Sequence, residues 1–173
     1  MELRIAKYLK GHRVPMSGAG SIKGDCLVIT DKCGQIYIEC KYTAATHVDT
    51  GEPIIRLDFK WLDKMQRDAE IMRSRFPALV FRYHDKRLSD YVIVGVDVFQ
   101  RYADDPQCDR LDNLAVLEAE DKSGLNLQRR ALLAAFTANP RGENICMLHC
   151  KKGWFVVMTI DLFRDMINEE ESI

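Results

Sequence analysis

Asp25-Cys-Leu-Val-Ile-Thr30 and Gly34-Gln-Ile-Tyr-Ile-Glu-Cys-Lys41 are two short apolar runs separated by the turn Lys32-Cys-Gly34. Both are rich in β-formers, and a Gly-marked turn of this length pairs them as a hairpin. Asp25 opens the first strand and Glu39-Cys40-Lys41 closes the second, so pairing sets them at adjacent strand ends. Glu39 and Lys41 are two residues apart and project from one face, whereas Cys40 points the other way and packs. Two carboxylates and an ammonium therefore meet at one place.

Those residue types suit metal-assisted cleavage of a phosphodiester. A hard Mg²⁺ ion takes oxygen ligands and keeps several waters. Asp25, Glu39 and the backbone carbonyl of Cys40 supply such oxygens, and a scissile phosphate fills another position. Metal held this way generates hydroxide and stabilises the transferring phosphoryl group. Lys41 orients the attacking water or shares the transition-state charge. The expected cofactor is Mg²⁺, with Mn²⁺ able to substitute.

The run Arg13-Val-Pro-Met-Ser17-Gly18-Ala-Gly-Ser-Ile-Lys-Gly24-Asp25, followed by Ile38-Glu39-Cys40-Lys41, resembles the PD-(D/E)XK nucleases. Within them it is most similar to archaeal and phage Holliday junction resolvases. The likeness spans residues 2 to 100. Gly24 stands where the family usually has Pro.

The resemblance implies an α/β (α+β) fold, a central mixed β-sheet flanked by helices, restriction-endonuclease-like in type. It implies a Mg-dependent endodeoxyribonuclease that acts on branched or four-way DNA in recombination and repair. Glu2 would be the helical acid and a further metal ligand. Gln66 on a following helix would orient the water or hold Glu39. Arg13, Ser17, Gly18 and Lys23 would contact DNA phosphates. Symmetric cutting of a junction calls for two sites, hence a homodimer, in the cytoplasm of a prokaryotic or phage-infected cell. Two alternatives stay open: a PD-(D/E)XK nuclease of restriction or repair type, and a non-catalytic DNA-binding module on the same scaffold.

Composition fits one compact domain over 1–173, with a nuclease core at 1–100 and an elaboration at 101–173. Apolar content is 47% and charged content 29%, ordinary for a globular chain. No window reaches membrane-span length, and no charged-then-apolar leader opens the sequence. Net charge is −1 but unevenly spread. Residues 1–87 hold 16 Lys/Arg against 11 Asp/Glu, and residues 88–173 hold 9 against 15. The basic surplus lies with the Glu-x-Lys motif, as phosphate neutralisation requires. Six cysteines lack any Cys-x-x-Cys pair, so buried reduced thiols are expected. Cys146, His149 and Cys150 alternate as in a strand and lack a second ligand pair, which argues against zinc.

Helical spacing is expected over Glu2–Lys10, Leu57–Phe76 and Leu127–Phe136. Strands are expected at Ala78–Tyr83, Tyr91–Val96, Asn144–Cys150 and Trp154–Ile160, while 111–120 is ambiguous. Trp61 and Trp154 read as core anchors. The C-terminal part echoes the middle: Tyr91-Val-Ile-Val-Gly-Val-Asp-Val-Phe-Gln aligns with Phe155-Val-Val-Met-Thr-Ile-Asp-Leu-Phe-Arg, and Met65-Gln66-Arg67 with Leu127-Gln128-Arg129. Each unit would be helix, hairpin, helix, and the second copy lacks Asp…Glu-x-Lys.

Overall fold

The computed structural model describes residues 1–13, 26–42, 49–83, 89–103 and 109–168, without the side chains of Glu2, His12 and Arg13. The expected apolar hairpin forms β2 (Cys26–Thr30) and β3 (Gly34–Tyr42), paired antiparallel from Cys26↔Ile38 to Thr30↔Gly34. Thr30 Oγ1 accepts the Cys33 amide at 3.0 Å across the turn, and Gly34 takes φ 67°, which an L side chain disfavours. Before the hairpin come α1 (Glu2–Tyr8) and the short β1 (His12–Arg13).

After it, β4 (Ile54–Asp58) leads into α2 (Phe59–Ile71), then β5 (Phe76–Arg82), β6 (Asp90–Gly95) and α3 (Val96–Tyr102). Asp58 caps α2 by accepting the Lys60 amide at 2.9 Å. A second run follows: β7 (Val116–Glu118), β8 (Gly124–Gln128), α4 (Arg129–Thr137), β9 (Ile145–Cys150), β10 (Gly153–Thr159) and α5 (Ile160–Asn168). The fold is α+β. A mixed sheet runs in the order β1-β2-β3-β5-β6-β10-β9-β7, with β4 and β8 in a separate ribbon.

Alternate residues of the central strands feed two cores. Ile36, Ile38, Ala78, Val80, Val92, Val94, Val156 and Met158 pack beneath α1, α3 and α5. Leu79, Phe81, Ile93, Cys146, Leu148 and Val157 pack beneath α2, α4 and the ribbon. Strands buried on both faces read as near-continuous apolar runs, which is why they were legible. Three expectations change: the helix expected to run to Phe76 ends at Ile71, with Phe76 opening β5, and two helix starts move. Ile54–Asp58 is a strand, and α2 starts only at Phe59 because Ile55 and Leu57 pair with β8 and alternate inward. Leu127 likewise belongs to a strand, β8, which ends at Gln128, and α4 begins at Arg129.

The internal echo is a pseudo-twofold. Antiparallel β6 and β10 pair from Tyr91↔Thr159 to Gly95↔Phe155, centred on Ile93↔Val157. Antiparallel β4 and β8 pair from Ile54↔Gln128 to Asp58↔Gly124, centred on Arg56↔Asn126. Parallel β3–β5 on one side matches parallel β7–β9 on the other. Each unit is thus strand, strand, helix, hairpin, helix, one strand pair longer than the sequence echo. The helix alignment is corrected too. Leu57-Asp58-Phe59, not Met65–Arg67, corresponds to Leu127-Gln128-Arg129, since Asp58 and Gln128 are the helix caps.

Ile93 and Val157 are 1% and 0% exposed at the centre of this junction. Ile93→Ala should cost about 2–5 kcal/mol by urea denaturation, from lost transfer energy and the cavity left behind. Because both units share the sheet, fluorescence of Trp61 and of Trp154, read in single-Trp variants, should lose signal in one coincident transition. Separate midpoints would mean the units fold independently.

Candidate active site

Tyr37, Glu39 and Lys41 lie on the sheet face covered by α2, which crosses from the β3–β4 side to β5, parallel neighbour of β3. The C-terminal end of α2 is pinned to β3: Gln35 Nε2 donates to the Met72 carbonyl at 2.7 Å, and Ser74 Oγ donates to the Gln35 carbonyl at 2.6 Å. That fixes which turn of α2 stands over Glu39.

The Glu39 carboxylate is buried, 1% exposed. Lys41 Nζ lies 2.5 Å from its Oε1 and Lys64 Nζ 2.7 Å from its Oε2. The same Lys64 nitrogen is 2.8 Å from Asp68 Oδ2. The Tyr37 hydroxyl is 3.2 Å from Glu39 Oε2 and 3.3 Å from Asp68 Oδ2, so its single proton serves either acid. Lys41 also sits over the Trp61 ring, 5.6 Å from its centroid. Two neighbouring buried carboxylates repel and lose hydration; the two ammoniums offset both costs. The lysine side chains are 24% and 30% exposed, so the acids lie within and the cations at the rim.

The expected site residues fall into three groups. Asp25, Ser17, Gly18 and Lys23 lie outside the described residues; the hairpin begins at Cys26, one residue beyond Asp25. Arg13 is described only in its backbone, opposite Cys26 in β1, and Glu2 only in its backbone, at the start of α1. That helix packs through Ile5, Ala6 and Leu9 under the Ile36/Ile38 face, opposite to Glu39. Glu39 and Lys41 come together as expected, and Cys40 turns into the first core.

Gln66 does not join them. It is exposed and lines a shallow pocket with Glu70, Arg75 and Arg101. Two residues along a helix turn a side chain by about 200°, so Gln66 faces away from the Lys64–Asp68 side. Lys64 and Asp68 take the position over Glu39 instead. The sequence held a signal for them. Asp68 interrupts the apolar stripe Trp61, Met65, Met72, and a carboxylate in such a stripe implies a buried partner.

Two other expectations resolve elsewhere. Trp154 is 47% exposed and stacks on His149, ring centroids 4.1 Å apart, so it is no core anchor. Cys146 and Cys150 are buried in the second core, whereas His149 faces the other side and meets Glu118 at 2.9 Å. Burial pushes the Cys146 thiol up to about 12, the wrong direction for a metal thiolate.

Glu39 and Asp68 present oxygen donors of the kind Mg²⁺ or Mn²⁺ takes, so their chemistry fits such an ion. Among the described residues no group of three His, Cys, Asp or Glu side chains converges, so further ligands would come from outside them. The pseudo-twofold offers an internal comparison. Leu79 and Cys146 hold equivalent places beside Ile93 and Val157. Following the parallel pairs outward, Ala115 and Leu117 replace Glu39 and Lys41. Counted from the helix caps, Ala134 and Ala138 replace Lys64 and Asp68. Comparisons with protein families, characterised proteins and solved structures find no match to this chain.

Glu39→Leu should destabilise the fold by about 2 kcal/mol, below the usual cost of breaking a buried pair because both lysines reach water. Glu39→Gln keeps the shape and hydrogen-bonding capacity and should cost less than half of that. Urea midpoints of the two variants check the order; the reverse order would remove Glu39 as the electrostatic centre of the cluster.

Proposed function

We propose that this chain is a metal-dependent endonuclease of PD-(D/E)XK type that cleaves branched DNA, on a scaffold of restriction-endonuclease-like kind. The observation that carries the reading is the asymmetry between the two units. One unit builds its sheet and helix with Ala115, Leu117, Ala134 and Ala138. The other spends the same positions on two acids and two lysines. The second unit forms the same order of elements with no charge at these positions, Ala115 and Leu117 being half-buried and Ala134 and Ala138 exposed.

A divalent cation held by Glu39 and Asp25, with Asp68 beside Glu39 as a further oxygen donor, would supply a Lewis acid and a bound water of lowered pKa. The remaining work falls to the chain. Tyr37 and the sheet hold the Glu39 carboxylate in one orientation. Lys41, with its ammonium at the rim against Trp61, donates to the non-bridging oxygen where negative charge grows. Arg13, Ser17, Gly18 and Lys23 would grip the backbone on either side of the cut. One chain carries one such cluster, so paired cuts across a junction call for a homodimer.

A second reading has one observation in its favour. Both oxygens of Glu39 are engaged by lysines, as they would be in an ion lock of a DNA-binding module without catalysis.

Labelled four-way junction, linear duplex and single strand, each incubated with Mg²⁺, Ca²⁺ or EDTA, separate the two. The expected result is junction cleavage with Mg²⁺ or Mn²⁺, binding without turnover in Ca²⁺, and none in EDTA. Asp25→Asn, Glu39→Gln and Lys41→Ala should each slow cleavage about 10²–10³-fold with junction binding retained. Arg13→Ala should weaken binding and flatten its salt dependence. Light scattering should give a dimer. Binding without cleavage under every metal condition would leave the DNA-binding module; full activity in EDTA would remove both the metal and the site.

A further inference from the structure

We infer that Lys64 is an exchangeable counter-ion of the Glu39–Asp68 carboxylate pair, released toward the substrate phosphate when a divalent cation is bound. This rests on the metal-dependent reading above. It concerns a residue that neither the Glu-x-Lys motif nor the family likeness singles out.

The geometry points to exchange rather than a fixed lock. Lys64 Nζ stands between Glu39 Oε2 and Asp68 Oδ2, at 2.7 and 2.8 Å. A second cation cannot share those two oxygens with an ammonium at that range, because like charges there repel strongly. The two acids are 1% and 5% exposed and need a positive partner at all times. Lys64 does not need them equally. Its side chain is 30% exposed on a flexible stem, and its local i,i+4 pairing with Asp68 is of a weak kind. Lys41 is held apart from this exchange on Glu39 Oε1 and on the Trp61 ring. An ammonium leaving the pair stays at the mouth of the site, where an incoming anion passes.

Two measurements on the full chain test this. In Lys64→Met, Mn²⁺ affinity read from the free-ion electron paramagnetic resonance signal should rise about tenfold, as one partly screened positive charge leaves the oxygens. Junction cleavage by the same variant should fall. The second measurement uses the unmutated protein, so it does not depend on the variant folding. Acylation of Lys64 by an amine-reactive reagent, followed by mass spectrometry, should increase several-fold when Mn²⁺ is added, with surface lysines such as Lys152 as reference. Unchanged or weaker Mn²⁺ affinity in a folded Lys64→Met, or Lys64 acylation that does not rise, overturns the exchange. If wild type neither binds Mn²⁺ nor cuts, the metal-dependent reading fails and takes this inference with it. If wild type binds and cuts while both Lys64 readouts stay flat, only the exchange is lost.

Discussion

The antiparallel pairing of β6 with β10 about Ile93↔Val157 is the joint on which the two units depend. Each unit has a hairpin apolar on both faces, and neither can cover those faces alone. Val92, Val94, Val156 and Met158 need the α1/α3/α5 layer, and Leu79, Phe81, Cys146 and Leu148 need the α2/α4 layer. Joining the hairpins edge to edge makes two continuous cores instead of four partial ones, and it removes two exposed strand edges. The β4–β8 ribbon repeats the same device outside the sheet, and Arg129 N donates to the Pro53 carbonyl at 2.9 Å where the ribbon meets α4. At the far end of the β5–β6 hairpin, Arg82 and Arg4 both reach the buried Asp90, tying α1 to the same joint. Burial holds that Asp90 carboxyl above its ordinary range in spite of Arg82.

Against that symmetry the charged cluster stands out as a departure. Replacing buried ionic groups by apolar ones is often neutral or stabilising. The other unit buries no charge at the corresponding positions: Ala115 and Leu117 are half-buried, and Ala134 and Ala138 face solvent. The shared order of strands and helices forms in the other half without a buried acid pair, so Glu39 and Asp68 are an addition to the scaffold and not a condition of it. Strain of this electrostatic sort collects where chemistry needs it, since a carboxylate held away from water binds cations more tightly than an exposed one.

The part of the fold that the sequence reveals is the part where one physical signal acts alone. Strands β2, β3, β5, β6, β9 and β10 are predominantly apolar runs bounded by turn residues, and their sequences announce them. β4 was not, because Ile55 and Leu57 fall at positions that also extend the apolar spacing of α2, and its partner β8 lies far away in sequence. β7 has three residues, too few for any period. In the site, Glu39 and Lys41 follow from strand alternation. Lys64 and Asp68 depend on the rotation of α2 against β3, which the Gln35–Met72 and Ser74–Gln35 bonds set from a distance. The family likeness points to Gln66, but a shift of two residues from Lys64 or Asp68 turns its side chain to the opposite side of α2. Trp154 misled because a large ring in a strand reads as core, and nothing local announces that the sheet ends beside it.

The order of charges from core to solvent constrains what can approach. Glu39 and Asp68 are buried between β3 and α2 together with the Tyr37 hydroxyl, and the lysine tips form the more exposed layer. Around them α2 adds Lys60 and Arg67, both exposed. A ligand arriving from solvent meets ammonium and guanidinium groups first, so anions are admitted and free carboxylates are turned toward the rim lysines rather than the acids. A cation approaching the acids would compete with Lys64 between Glu39 and Asp68 and with Arg67, whose Nε is 3.7 Å from the other Asp68 oxygen. On the proposed exchange, anion and cation binding would be coupled through Lys64: freed from the acids by the cation it would become a donor for the anion, and an anion drawing it outward would open the acids to the cation. A cluster of acids alone would favour a cation and one of lysines alone an anion; under the proposed exchange the interleaved arrangement would make each ligand raise the affinity for the other.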